Sequence, residues 1–304
     1  MKKNCVLMSV LVFTCVSLTM AAGELVRTVR NKLSAGDLAS GAAAVEEYKK
    51  KNGVDAEYLD AVGWLARGAE MLRRPDEAAA YVAELRREIR EEKAELLSPL
   101  GAAIEVEGKL RAAREGRGSA VSFLEDELAR AKDVALRSRI CRTINVLSLE
   151  GQPAPEINIG NFIGPAPSSL AALKGKPVLL FLWAHWCGDC KAQAATLARV
   201  VEKYRPRGLV VTAPTRFYGT GPQDKPATPA EEKAHMAKIW SEFYPGLDGV
   251  PITIDTDTMV RYGVSATPTF ALVDRKGVVR FYSPTRLSEA ELSRRIEGVL
   301  AEAP

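Results

Sequence analysis

Trp186-Cys187-Gly188-Asp189-Cys190-Lys191 places two thiols two residues apart, after an apolar run and before a stretch of helical periodicity. At a helix start, that spacing lets the sulfurs reach disulfide distance. The unpaired backbone N–H groups and positive end of the helix stabilise a thiolate on the first cysteine. Cys187 is therefore the expected nucleophile and Cys190 the resolving thiol. The Cys187 thiolate attacks a substrate disulfide to make a mixed disulfide, and Cys190 then attacks Cys187 to release the reduced product. Run backward, the same steps oxidise a dithiol. Trp186, Gly188, Asp189, His185 and Lys191 are the residues expected to modulate this pair. An anion at Asp189 disfavours the Cys187 thiolate, while His185 and Lys191 offset it, which leaves the sign of the net effect open.

Other uses of the cysteines fit less well. A zinc site needs two more ligands, yet only Cys141, His185 and His235 are at hand and none has ligand spacing. Haem attachment needs His where Lys191 stands. No metal or separate cofactor is expected; the redox group is the Cys187–Cys190 disulfide itself. A second element points the same way. Ser265-Ala266-Thr267-Pro268-Thr269 comes just before an apolar strand, where proline normally does not belong. A cis Thr267–Pro268 bond supplies a reason for it, the ordinary alternative being a trans proline that opens the strand.

The elements that must position these residues follow from periodicity. Residues 177–184 read as a buried strand, 188–204 as a helix and 209–212 as a second strand, which together make a βαβ unit. Thr228-Pro229-Ala230-Glu231 combines a capping box with proline at the first helical position and starts a helix to about residue 244, within an insertion at about 213–249. His235, Met236, Ile239, Trp240 and Phe243 share one face of it, a pattern of core packing more than of ligand binding. A strand at 251–254, a short helix ending near Gly263, a hairpin of 269–273 with 278–282 and a final helix capped at Ser288 complete this half.

Upstream, residues 24–150 are rich in Ala, Leu, Glu and Arg and contain no strand-like run. Val62, Leu65, Ala66 and Ala69, then Ala78, Val82 and Leu85 beyond the break at Arg74-Pro75-Asp76, predict two antiparallel helices. Their small-and-large alternation is weakly similar to a tetratricopeptide hairpin, without its aromatic signature. An irregular bundle and a short partner-docking array both remain open. Further helices are expected at 100–115, 119–131 and 134–149. Cys141 lies in the last, beside Leu136, Ile140, Ile144 and Leu147, as a part-buried small hydrophobe or as a regulatory or intermolecular thiol. Gly151-Gln152-Pro153-Ala154-Pro155 breaks helical continuity and sets the boundary with a second domain, 151–304.

The chain has 304 residues, 47% hydrophobic and 26% charged, which suits two globular domains and excludes a disordered or fibrous protein. Its formal net charge of +4, half of it from Lys2 and Lys3, implies no nucleic-acid partner. Lys2 and Lys3, the apolar stretch 6–18 and the small residues Ala21, Ala22 and Gly23 read as an export leader over 1–22, either cleaved or kept as a membrane anchor. Lipid attachment at Cys15 is disfavoured by Phe13 and Thr14. Of five cysteines, Cys5 and Cys15 belong to that leader, and export leaves the other three in an oxidising compartment.

The stretch from Phe181 to Cys190, together with Ala266-Thr267-Pro268-Thr269, resembles the thioredoxin superfamily over about half of the chain. The leader, Pro153-Ala154-Pro155-Glu156, Leu173-Lys174-Gly175-Lys176, the insertion and Asp255-Thr256-Asp257 ahead of Tyr262-Gly263-Val264 resemble its extracytoplasmic TlpA-like branch. The resemblance implies a two-domain protein: an all-α helical domain, possible site of partner docking, and an α/β domain with a cis-proline loop facing the cysteines. It also implies a reductant or exchanger in the periplasm or another extracytoplasmic space, acting on a protein disulfide or dithiol and served by a membrane or extracytoplasmic thiol electron donor. In relatives this includes supplying reduced cysteines for cytochrome c maturation. Three positions depart from the family: Phe181 replaces a buried Asp that accepts the resolving thiol's proton, and Gln193 and Ala195 replace a Glu and a Pro. The competing functions are a partner-binding protein with a redox-fold scaffold, a disulfide oxidase or isomerase, and a thiol peroxidase.

Overall fold

A computed structural model describes residues 23–302; the segment read as a leader or anchor lies outside the described residues. Helices come first: α1 (Glu24–Ser34), α2 (Leu38–Asn52), α3 (Ala56–Met71), α4 (Pro75–Glu88), α5 (Leu97–Glu115), α6 (Arg117–Arg130) and α7 (Val134–Ser148). Asp37, Asp55 and Asp133 cap α2, α3 and α7 by accepting backbone N–H groups of the first turn. The apolar positions at 62–69 and 78–85 lie in α3 and α4. In α3 they form part of a helix buried on most sides, because α1, α4 and α5 all pack on it. The helix expected from residue 119 starts at Arg117, since Gly116 alone, at φ 95°, makes the turn from α5.

The α/β half contains β1 (Phe162–Ile163), β2 (Val178–Leu182), α8 (Gly188–Tyr204), β3 (Val210–Thr212), α9 (Pro229–Phe243), β4 (Ile252–Thr253), α10 (Thr256–Arg261), β5 (Thr269–Val273), β6 (Val279–Ser283) and α11 (Glu289–Ala301). The main sheet runs β3-β2-β5-β6, with β2 parallel to β3 and antiparallel to β5. Alternate residues of β2 enter different cores. Leu179 and Phe181 join Leu197 and Val200 of α8 on one face, while Val178, Leu180 and Leu182 meet Leu170 and Tyr262 on the other. Burial on both faces is why this strand reads as an unbroken apolar run. The strand expected at 251–254 is shorter and pairs with β1 in a separate ribbon, and an isolated Thr215–Ile254 bridge links it to the chain that follows β3.

The two halves are packed together. Asn145 Nδ2 of α7 donates to the Arg261 carbonyl at 2.9 Å. Gly263 has φ 62° and lies so close to the Arg142 backbone that a Cβ there would overlap it, so glycine is required. The chain after α7 then follows β6: Gly151 N–H donates to the Val279 carbonyl at 2.7 Å and Val279 N–H to the Gln152 carbonyl at 2.9 Å. That pairing covers part of what would be an open sheet edge.

Candidate active site

Strand β2 delivers the chain to Trp183, and a short loop carries it to α8, with Cys187 as the residue that caps the helix. Cys187 and Cys190 form a disulfide with a Cα–Cα distance of 5.3 Å. Cys190 N–H donates to Cys187 Sγ at 3.0 Å. This contact directs a first-turn N–H and the helix dipole at the sulfur where a thiolate forms. The Thr267–Pro268 peptide is cis, and the Thr267 carbonyl oxygen lies 3.4 Å from Cys187 Sγ. Cys190 is fully buried and Cys187 nearly so, while Trp186 is 50% exposed beside them. Of the pair, Cys187 is the residue that keeps some exposed surface.

The loop between β2 and α8 is held from behind. Trp183 N–H donates to the Pro214 carbonyl and Trp183 Nε1 to the Ala213 carbonyl, while Thr215 Oγ1 donates to the Trp183 carbonyl at 2.8 Å. His185 and Glu232, both about 1% exposed in their side chains, meet at 3.1 Å. Glu232 also accepts Tyr218 N–H at 2.6 Å and Gly219 N–H at 2.9 Å, so one carboxylate of α9 ties the motif loop to the chain that follows β3. Burial pushes the His185 imidazole below its ordinary value despite Glu232. A neutral His185 does not supply the cation expected to offset Asp189.

That charge is answered by a residue absent from the sequence reading: Arg286, 3.5 Å from Asp189 on the surface. Lys191 is turned to the Phe243 ring, 4.5 Å from its centroid. At the three departures, Phe181 packs against Phe270 and Tyr244. Gln193 donates to the Leu287 carbonyl at 2.9 Å and accepts Leu287 N–H at 3.0 Å; a carboxylate cannot make both bonds. Ala195 is exposed within an unbroken α8. Glu232 was also missed, because it follows the capping-box Glu231 and nothing local separates a buried carboxylate from a solvated one.

Cys141 is buried in α7, where desolvation pushes its thiol up to about 11. Among the described residues no group of three or more His, Cys, Asp or Glu is arranged to hold a metal ion. No described helix is long and apolar enough to cross a membrane.

Residues 149–294 match the Redoxin family model. The thioredoxin-like protein YneN of Bacillus subtilis is 28% identical over 149 residues, 49% of this chain and 79% of that protein. The thiol:disulfide interchange protein DsbE of Pseudomonas fluorescens is 28% identical over 130 residues, 43% of this chain and 64% of its own length. The thiol-disulfide oxidoreductase ResA of Geobacillus thermodenitrificans is 24% identical over 151 residues, 49% and 77% of the two chains. Among solved structures, a thiol:disulfide interchange protein of the thioredoxin family from Chlorobium tepidum superposes with a TM-score of 0.38 and 21% identity, covering 50% of this chain and 98% of that one. The α/β half is thus a thioredoxin-superfamily domain related to DsbE- and ResA-like proteins. Its cysteine pair is positioned for disulfide formation, the equipment of a thiol–disulfide oxidoreductase.

Proposed function

We propose that the chain is an exported, TlpA-like reductant or exchanger that uses Cys187 as nucleophile and Cys190 as resolving thiol on protein disulfides. The observation that carries this reading is the Cys190 N–H directed at Cys187 Sγ at a helix start, with the Thr267 carbonyl on the other side. The N–H and helix dipole favour the thiolate that must attack and, later, leave. Thr267 and Pro268 form the backbone edge beside the reacting sulfur, and Trp186 the exposed apolar contact. Export is supported by the basic and apolar character of residues 1–22, and it makes a membrane or extracytoplasmic dithiol the natural electron source. The helical half is read as the recognition half, the packing of each helix on the next being compatible with a short repeat-like array.

The direction of electron flow is tested by the equilibrium reduction potential of the chain without residues 1–22, measured in glutathione and dithiothreitol buffers. A value at or below roughly −250 mV is expected for a reductant. One near roughly −120 to −180 mV marks an oxidase or isomerase and overturns the proposed direction.

A further inference from the structure

Between the two halves, next to the redox pair, lies a cavity of about 120 Å³. Trp186, Arg216, Ser265 and Thr267 line it from the α/β half, and Ala135 and Arg139 of α7 from the helical half. Cofactor sites are larger, roughly 300 Å³ or more. A space equal to about four waters takes a side chain.

The chemistry of the cavity is cationic. Arg67, Arg86 and Arg142 of this chain are paired with carboxylates, whereas neither Arg139 nor Arg216 has an ion-pair partner among the described residues. Arg139 uses one nitrogen on the Leu97 and Ser98 carbonyls, each at 3.4 Å. Burial first, and then the like charges of Arg67 and Arg142, hold its guanidinium below its usual range against the opposing pull of the Asp60 and Glu105 carboxylates. Arg216 stacks over the Tyr218 ring at 4.9 Å. Ser265 Oγ is shielded from solvent and has no hydrogen-bond partner, which leaves a hydroxyl donor in the same wall.

We propose that this cleft docks the polypeptide bearing the substrate cysteine and selects a carboxylate side chain close to that cysteine. The proposal rests on the exchange reading above and adds its substrate class. With the acidic side chain between Arg139 and Arg216, the adjacent disulfide lies over Trp186 and meets Cys187. The reduced pair supplies the electrons: the Cys187 thiolate bonds to one substrate sulfur and expels the other as a thiolate. The Cys190 thiol gives its proton to the expelled substrate thiolate, and the resulting Cys190 thiolate then bonds to Cys187 and expels the first. Two electrons pass to the substrate, whose two thiolates take up protons, and the Cys187–Cys190 disulfide is restored.

The test uses the full chain, reduced beforehand with dithiothreitol and desalted, and disulfide-linked peptides that differ only in Asp, Asn or Lys two residues from the cysteine. At low salt the Asp peptide is expected to react about tenfold faster than the Asn peptide, with Lys slower again, and 0.5 M NaCl is expected to shrink the spread. Arg139→Gln and Arg216→Gln each lower the Asp-to-Asn ratio toward one, and the Lys variants retain most of it. Equal rates for the three peptides, or a ratio unmoved by Arg216→Gln, overturn the proposal even if Arg139→Gln fails to fold. Glutathione disulfide reacting as fast as the Asp peptide assigns the cleft to a small carboxylate thiol and overturns the polypeptide substrate. If no peptide oxidises the dithiol, exchange itself fails, and the cleft's role with it.

Discussion

Cys141 and Cys187 are about equally hidden, at 8% and 4% exposure, but they occupy opposite kinds of place on α7 and α8. Cys141 is in mid-helix, where the backbone N–H groups are committed to the helix and its surroundings disfavour an anion. Cys187 is at a cap, where the N–H of Cys190 has no carbonyl to serve and turns to sulfur. Burial alone therefore does not decide whether a thiol reacts. Position along a helix does, because the end of a helix has spare donors and its middle has none.

Substituting each cysteine gives the largest expected contrast. Cys187→Ser is expected to lower disulfide reduction by at least about 10³-fold, while Cys141→Ala leaves it within about twofold, both read by turnover of a peptide disulfide. At pH 8 a thiol near 11 is about one part in a thousand thiolate, so Cys141 in the folded protein should alkylate far more slowly than reduced Cys187. Rapid labelling of Cys141 would break the comparison.

A second effect concerns what holds the α8 cap in place. Glu232→Ala strands the His185 ring and the N–H groups of Tyr218 and Gly219 in a dry site, and is expected to cost about 3–5 kcal/mol in denaturant unfolding. Glu232→Gln, which still accepts, costs less. The same site has a pH signature. With the folded His185 pushed below 6.5, the unfolded chain binds a proton that the folded one refuses. Stability should therefore fall as pH drops below about 6.5, ahead of the carboxylate range. A profile flat from pH 7 to 5.5 would contradict it.

The smallest effect is at the surface of the cap. Asp189→Asn removes an anion near Cys187 and should raise the reduction potential, whereas Arg286→Gln removes its counter-charge and should lower it. Both groups are more than half exposed, so each shift is expected to stay below about 20 mV. Shifts of equal sign, measured in redox buffers, would show that the pair does not act through its charge.

Much of the active helix was legible locally: a buried apolar strand, a Cys-x-x-Cys at the following helix start and a proline before the next strand are each short-range patterns. The helices at 62–69 and 78–85 were legible for the same reason, while α1 and α2 emerged only as part of a generally helical stretch. Glu232, Arg286, Arg139 and Arg216 were not legible. Each is an ordinary charged residue whose significance depends on what stands opposite it, 47 residues away in sequence for Glu232 and His185.

What the sequence by itself determined is therefore the chemistry and the scaffold: two cysteines at a helix cap, a buried strand before them, and a helical half ahead of both. Only the tertiary structure decided what surrounds the sulfur. It packed α7 against Gly263 and the loop beyond it, buried Glu232 behind the motif, and brought Arg139 and Arg216 to one cleft. The reason is physical. Helix caps and strand periodicity act over a few residues, whereas burial and the pairing of charges depend on surfaces that meet only when distant parts of the chain pack together.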